Sequence, residues 1–135
     1  MRVVLGMGCD RGTAQQTLQA AVDAALASVG LSPAAVTALA SIDKKNDEIG
    51  LLALAAQHRW PLRFYPAAQL AAVEVPNPSE VVRKYMGTPA VAEAAAMLAA
   101  NTGVENLLVE KYKYRGPDGK HATVSIVKLN EVENE

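Results

Sequence analysis

The chain has 135 residues, half of them hydrophobic, with 13 Lys plus Arg against 14 Asp plus Glu and a net charge of -1. That is one ordinary domain without the strongly basic footprint of general nucleic-acid binding. A single cysteine excludes an internal disulfide and a Cys-based zinc cluster, and with no signal architecture and no apolar run near the ~18 residues that span a bilayer, the expectation is a cytoplasmic protein without metal, cofactor, nucleic acid or membrane partner.

The first residues, RVVLGM (2–7), read as a buried strand entering a tight turn, GCDRG. Thr13 and Gln16 have capping-box spacing and predict a helix beginning at Ala14, with Leu18, Ala21, Val22, Ala25, Leu26 and Val29 as its buried stripe and Gly30 as its end. VTALASI (36–42) is apolar and partly β-branched, hence a second strand, which delivers the polar loop DKKNDE (43–48). The next helix, about 47–58, is expected to bury Ile49, Leu52, Ala53 and Ala56, and Trp60-Pro61 stops it. LRFY (62–65) is a third strand, followed by a brief helix around 67–72.

Asn77-Pro78-Ser79-Glu80 and Thr88-Pro89 each offer a cap and a first-turn proline, predicting two further helices. The second, 89–100, is so rich in alanine that it must pack closely on several sides. Residues 106–114 and 121–129 alternate like strands across Gly116-Pro117-Asp118-Gly119, which suits a type I turn followed by a left-handed glycine. The element order predicts a single α/β domain over 1–129: a mixed, mostly parallel sheet of about five strands, helices on both faces, a C-terminal antiparallel hairpin and a polar tail, 130–135.

Ligands in such sheets bind beyond the carboxyl ends of the strands, where three groups of residues stand out. At the first turn, Gly12, Thr13 and the following amides favour an anion, and Arg11 offers a bidentate clamp; a plain β-to-α turn explains the same pattern. In the second loop, Asp43, Lys44 and Glu48 are either chemistry or a solvated helix start. Glu93 in the alanine-rich helix points either into a cleft, where burial would suit it to acid-base work, or to solvent. Lys111 and Lys113 share one strand face, opposite Tyr112 and Tyr114. Cys9 reads as a small buried hydrophobe, and His58 and His121 as residues of a helix end and a hairpin.

GCDRGT (8–13), ASIDKKNDEIGL (40–51), VPNPSEVV (75–82), GTPAVAEAAAML (87–98) and LLVEKYKY (107–114), in this order, resemble the CobE/CbiG C-terminal domain family of cobalamin biosynthesis. The resemblance covers nearly the whole chain, and it looks like the standalone form. It implies a precorrin-type tetrapyrrole as ligand, with other pathway enzymes as further partners. In the anaerobic pathway, such a domain forms the C-terminal part of cobalt-precorrin-5A hydrolase, which opens the ring-A lactone and releases acetaldehyde.

Carboxylate arms of such a ligand would meet Arg11, Lys44, Lys111 and Lys113 and the helix starts at Gly12 and Thr13, at Asn77 and Ser79, and at Thr88, with Asp43 as a further substrate-binding residue. Lactone hydrolysis would use Glu48 or Glu93 to move a proton, with Lys44 on the oxyanion. A non-catalytic corrinoid carrier is the alternative. A nucleotide-binding domain with Asp43 on a ribose is weaker, because the glycine spacing misses the dinucleotide fingerprint by one residue.

Overall fold

A computed structural model describes residues 1–80 and 90–130. Its strands are β1 (Val3–Cys9), β2 (Val36–Ile42), β3 (Leu62–Tyr65), β4 (Leu107–Arg115) and β5 (His121–Lys128). Its helices are α1 (Gln15–Ala27), α2 (Ile49–His58), α3 (Ala67–Ala71) and α4 (Ala92–Ala100). The sheet order is β3-β2-β1-β5-β4, with β1, β2 and β3 parallel and β5 antiparallel to both β1 and β4. This is the expected mixed α/β sheet with a C-terminal hairpin. Two successive β-α-β crossovers place β2 and β3 on one side of β1, and the chain then crosses to the other side through α4.

Alternation along β1 explains the two layers. Val3, Leu5 and Met7 pack with Leu18, Val22, Leu26, Leu51 and Leu54 of α1 and α2, while Val4 packs with Ala96 and Met97 of α4 on the opposite face. Gly6 lies directly beneath α4, where an added Cβ would run into the Ala92 carbonyl oxygen. The alanine-rich composition therefore serves close approach: Ala92, Ala94, Ala95, Ala96 and Ala100 are all buried.

Some local expectations fail for identifiable reasons. Thr13 forms no capping box; its hydroxyl donates instead to the Asp10 carbonyl at 2.6 Å, and α1 begins at Gln15 without a side-chain cap from its N-cap residue, Ala14. Val29 lies beyond the last turn of α1 and is exposed, although Gly30 does take the left-handed conformation that ends it. In α2 the buried residues are Gly50, Leu51, Leu54 and Ala55, whereas Ile49 is 81% exposed and Leu52 40%. The segment IGLLALAA is apolar all round, so periodicity cannot choose its inner face; Gly50 does, because only a glycine fits against the Thr13 carbonyl there. The helix expected to follow Asn77 lies largely outside the described residues, as do the Thr88-Pro89 start and tail residues 131–135.

Candidate functional site

The loops leaving β1 and β2 meet through charge. Arg11 donates to Asp47 Oδ1 at 2.7 Å and to the Lys44 carbonyl at 2.8 Å, and its Nη1 lies 3.1 Å from Glu48 Oε2. Gly12, in the left-handed region with φ 79°, turns its amide to donate to Glu48 Oε1 at 2.7 Å. Beneath them Lys45, buried, brings its Nζ to 4.0 Å from Glu48 Oε2. Glu48 is buried too and, among the described residues, is balanced by two cations and one amide, yet Oε2 has no hydrogen-bond partner there.

A groove of about 500 Å³ runs past these groups, with Thr13, Ala14 and Gln15 on one wall and Ile49, Gly50 and Ala53 on the other. Cys9 packs beside the core; burial pushes its thiol up from the ordinary range, and Lys45 pulls it part of the way back.

The hairpin closes one end of this region. Asp118 Oδ2 accepts from the Ala14 amide at 3.1 Å, so the start of α1 is capped by the β4–β5 turn and not by its own sequence. Asp10 Oδ2 accepts from the His121 amide at 2.8 Å and lies 3.1 Å from His121 Nδ1.

On the opposite face, Glu93 in the first turn of α4 is only 1% exposed, and its Oε2 has no hydrogen-bond partner among the described residues. Burial pushes the carboxyl above the ordinary carboxylate range, a displacement that the Lys111 charge opposes and Glu110 reinforces. Lys111 Nζ lies 3.6 Å from Glu93 Oε2 and donates to the Asn77 carbonyl at 2.8 Å. Asn77 Nδ2 in turn donates to both carboxylate oxygens of Glu110, at 3.0 and 2.9 Å. This arrangement offers a buried acid with an unbonded oxygen beside a half-buried ammonium.

The sequence-derived candidates therefore fall into two groups on opposite faces. Arg11, Gly12, Thr13, Asp43, Lys44 and Glu48 gather at the ends of β1 and β2, with Asp43 and Lys44 exposed and Arg11 already engaged by Asp47. Glu93, Lys111 and Asn77 form the second group. Lys113 follows on the same strand, exposed, and Ser79 is half-buried just before helical Glu80. Thr88 lies outside the described residues.

Sequence reasoning saw Lys45 only as a cation of the second loop and Asp118 only as a turn residue, and gave Glu110 no part. Only Asp118 carried a usable signal, as the sole acid in a Pro-Asp-Gly turn. Among the described residues no group of three His, Cys, Asp or Glu could hold a metal ion.

The family model described as "Cobalamin synthesis G C-terminus" matches residues 3–127. The chain belongs to this family. Within it, the chain is 35% identical over 109 residues to the cobalt-precorrin-5A hydrolase of Priestia megaterium, a match covering 81% of the chain but 29% of that hydrolase. It is 39% identical over 109 residues to protein CobE of Sinorhizobium sp, covering 79% of the chain and 70% of CobE. The crystal structure of CobE, described as a protein from the cobalamin (vitamin B12) biosynthetic pathway, superposes with a TM-score of 0.81 at 33% identity, over 96% of this chain and 95% of that one. This member of the family thus has the CobE fold and spans less than a third of the hydrolase it matches. No helix among its described residues is long and apolar enough to cross a membrane.

Proposed function

We propose that the chain acts in cobalamin biosynthesis by binding a precorrin-type tetrapyrrole on the α4 face and assisting the opening of its ring-A lactone. The observation that carries this reading is the Glu93–Lys111 pair: a buried carboxyl with one oxygen unbonded among the described residues, 3.6 Å from an ammonium that is itself partly open to solvent. Carboxylate arms of the macrocycle would meet Lys111 and Lys113. Glu93 would take a proton from water as its oxygen attacks the ester carbonyl, then return it to the departing alkoxide, leaving a carboxylic acid and a hydroxyl. An acid held above the ordinary carboxylate range suits that return step.

The test is anaerobic incubation with a set of precorrin lactone intermediates, followed by mass analysis of the recovered tetrapyrrole. Ring-opened product with the wild type, and bound but unaltered tetrapyrrole with Glu93→Gln, is the expected result. Equal turnover by both proteins would remove Glu93 from the reaction.

A second reading is a carrier that holds a corrinoid without changing it. The Lys111 ammonium, held between the Asn77 carbonyl and Glu93, favours it, since a fixed cation binds a carboxylate arm whether or not Glu93 moves a proton. Tight binding by the wild type without any mass change in the same incubations would establish the carrier.

A further inference from the structure

Glu110 and Lys111 are sequence neighbours, and in a regular strand they would point to opposite faces of the sheet. They do not. The β4–β5 register shifts between Val109 and Tyr112, and this bulge lets both side chains converge on Asn77. Glu110 grips the Asn77 side-chain amide with both carboxylate oxygens, while Lys111 donates to the Asn77 backbone carbonyl. Asn77 itself lies between Pro76 and Pro78, so its backbone has few conformations to choose from and its carbonyl is held where the lysine finds it.

We propose that the Asn77–Glu110 pair is a positioning device: it clamps the 76–78 segment onto the β4 bulge and thereby fixes Lys111 against Glu93. Neither residue then serves as a ligand contact; both act through Lys111. This rests on the reading of Glu93 and Lys111 as the ligand-facing pair, and it gives Asn77 a different role from the helix-cap anion site expected from its sequence.

Among the described residues, the charged groups that act on Glu93 are Lys111 and Glu110, both from β4, while Arg63 of β3 reaches only the Ala99 carbonyl at the other end of α4. From β1, α4 meets Gly6 and Gly8, and Ser125 of β5 has its hydroxyl turned to the Glu110 carbonyl, so neither strand adds a charge there. Free to swing into solvent, Lys111 would no longer offset the burial of Glu93.

The experiment follows the Glu93 carboxyl by carbon NMR in glutamate-labelled protein without ligand, its signal assigned with Glu93→Gln. Titrations compare the wild type, Asn77→Ala, Lys111→Met and the double variant. Asn77→Ala is expected to raise the Glu93 midpoint toward that of Lys111→Met, and to add nothing in the Lys111→Met background, because the clamp acts through that lysine.

A midpoint unchanged by Asn77→Ala, or displaced equally in both backgrounds, overturns the proposal. Should Asn77→Ala not fold, Asn77→Ser, too short to reach Glu110, takes its place with the same expectations. Tetrapyrrole affinity of the same proteins tests the functional reading separately. A wild type that binds none of the precorrin intermediates overturns that reading, while the titrations still decide the clamp.

Discussion

The Asp118 carboxylate accepts from the Ala14 amide across 104 positions of sequence, at 3.1 Å. Asp118 also accepts from the Lys120 amide at 3.0 Å, so one side chain both shapes the hairpin turn and caps α1. Gly116 makes this docking possible, because a Cβ there would strike the Thr17 side chain. The helix-start amides expected to receive an external anion are thus partly served by the protein's own carboxylate.

Those two amide bonds hold the Asp118 carboxyl below its ordinary range. A lowered folded value stabilises the protein above the unfolded value and loses that contribution as pH falls through the folded one. Asp118→Ala should therefore lower the melting temperature at pH 7, and the difference from wild type should shrink below about pH 4. Asp118→Asn, which keeps an acceptor oxygen, should recover much of the loss at neutral pH and show no acid dependence of its own. Thermal melts from pH 2 to 8 measure both.

Gly6 and Gly8 point to the same face of β1 but meet different surroundings. A Cβ on Gly6 collides with the Ala92 carbonyl and with the Ala96 methyl, whereas on Gly8 its nearest neighbour is a Val91 methyl at 4.0 Å. Backbone cannot step aside as a side chain can, so Gly6→Ala should cost about 3 kcal/mol or prevent folding. Gly8→Ala should change stability by about 0.5 kcal/mol or less. Urea unfolding of the two variants checks the contrast; equal effects would mean that α4 is not seated on β1 as described.

The strands were readable because their apolar, β-branched runs are short and bounded by glycine, proline or charge; residues 36–42 and 62–65 match the structure to the residue. The sheet order was not legible, because it seats β5 between β1 and β4 through a pairing of the first strand with the last. What the sequence withheld depends on distant partners. The inner face of α2 is chosen by Gly50 against Thr13, and the bulge that turns Lys111 toward Glu93 is a property of the β4–β5 register. Likewise Lys44 and Lys45 are chemically identical neighbours, and only the tight turn over Asp43–Lys45 sends one into solvent and the other beneath Glu48.

Buried Lys45 gives that last difference a measurable consequence. Removing its charge leaves the buried Glu48 carboxylate with Arg11, which is largely solvent-exposed, and the Gly12 amide as its remaining partners. Lys45→Met should destabilise the fold by about 3 kcal/mol, at the low end for a broken buried pair because those two partners persist. Adding Glu48→Gln should restore much of the loss, since no unbalanced charge then remains inside. Lys44→Met, at an exposed position, should sit within about 0.5 kcal/mol of wild type. If denaturant unfolding finds the two lysines equivalent, the buried pair contributes nothing.

Glu93 should respond to pH in the opposite sense to Asp118. Its folded value is raised, chiefly by burial, so its favourable contribution is complete below the unfolded value near 4.5 and is lost as pH rises through the folded value. At pH 8 the ionised carboxylate sits buried, and among the described residues one of its oxygens has no hydrogen-bond partner and Lys111 is its nearby countercharge. Glu93→Gln should then be more stable than wild type at pH 8, with the advantage fading toward pH 4, where the wild-type side chain is itself neutral. The same substitution should abolish the proposed lactone opening, the trade expected when a buried acid is kept for chemistry at the expense of the fold. Parallel melting curves and mass analysis of the incubated tetrapyrrole read the two effects; a variant less stable than wild type at pH 8 would show that the Lys111 pairing outweighs the cost of burial.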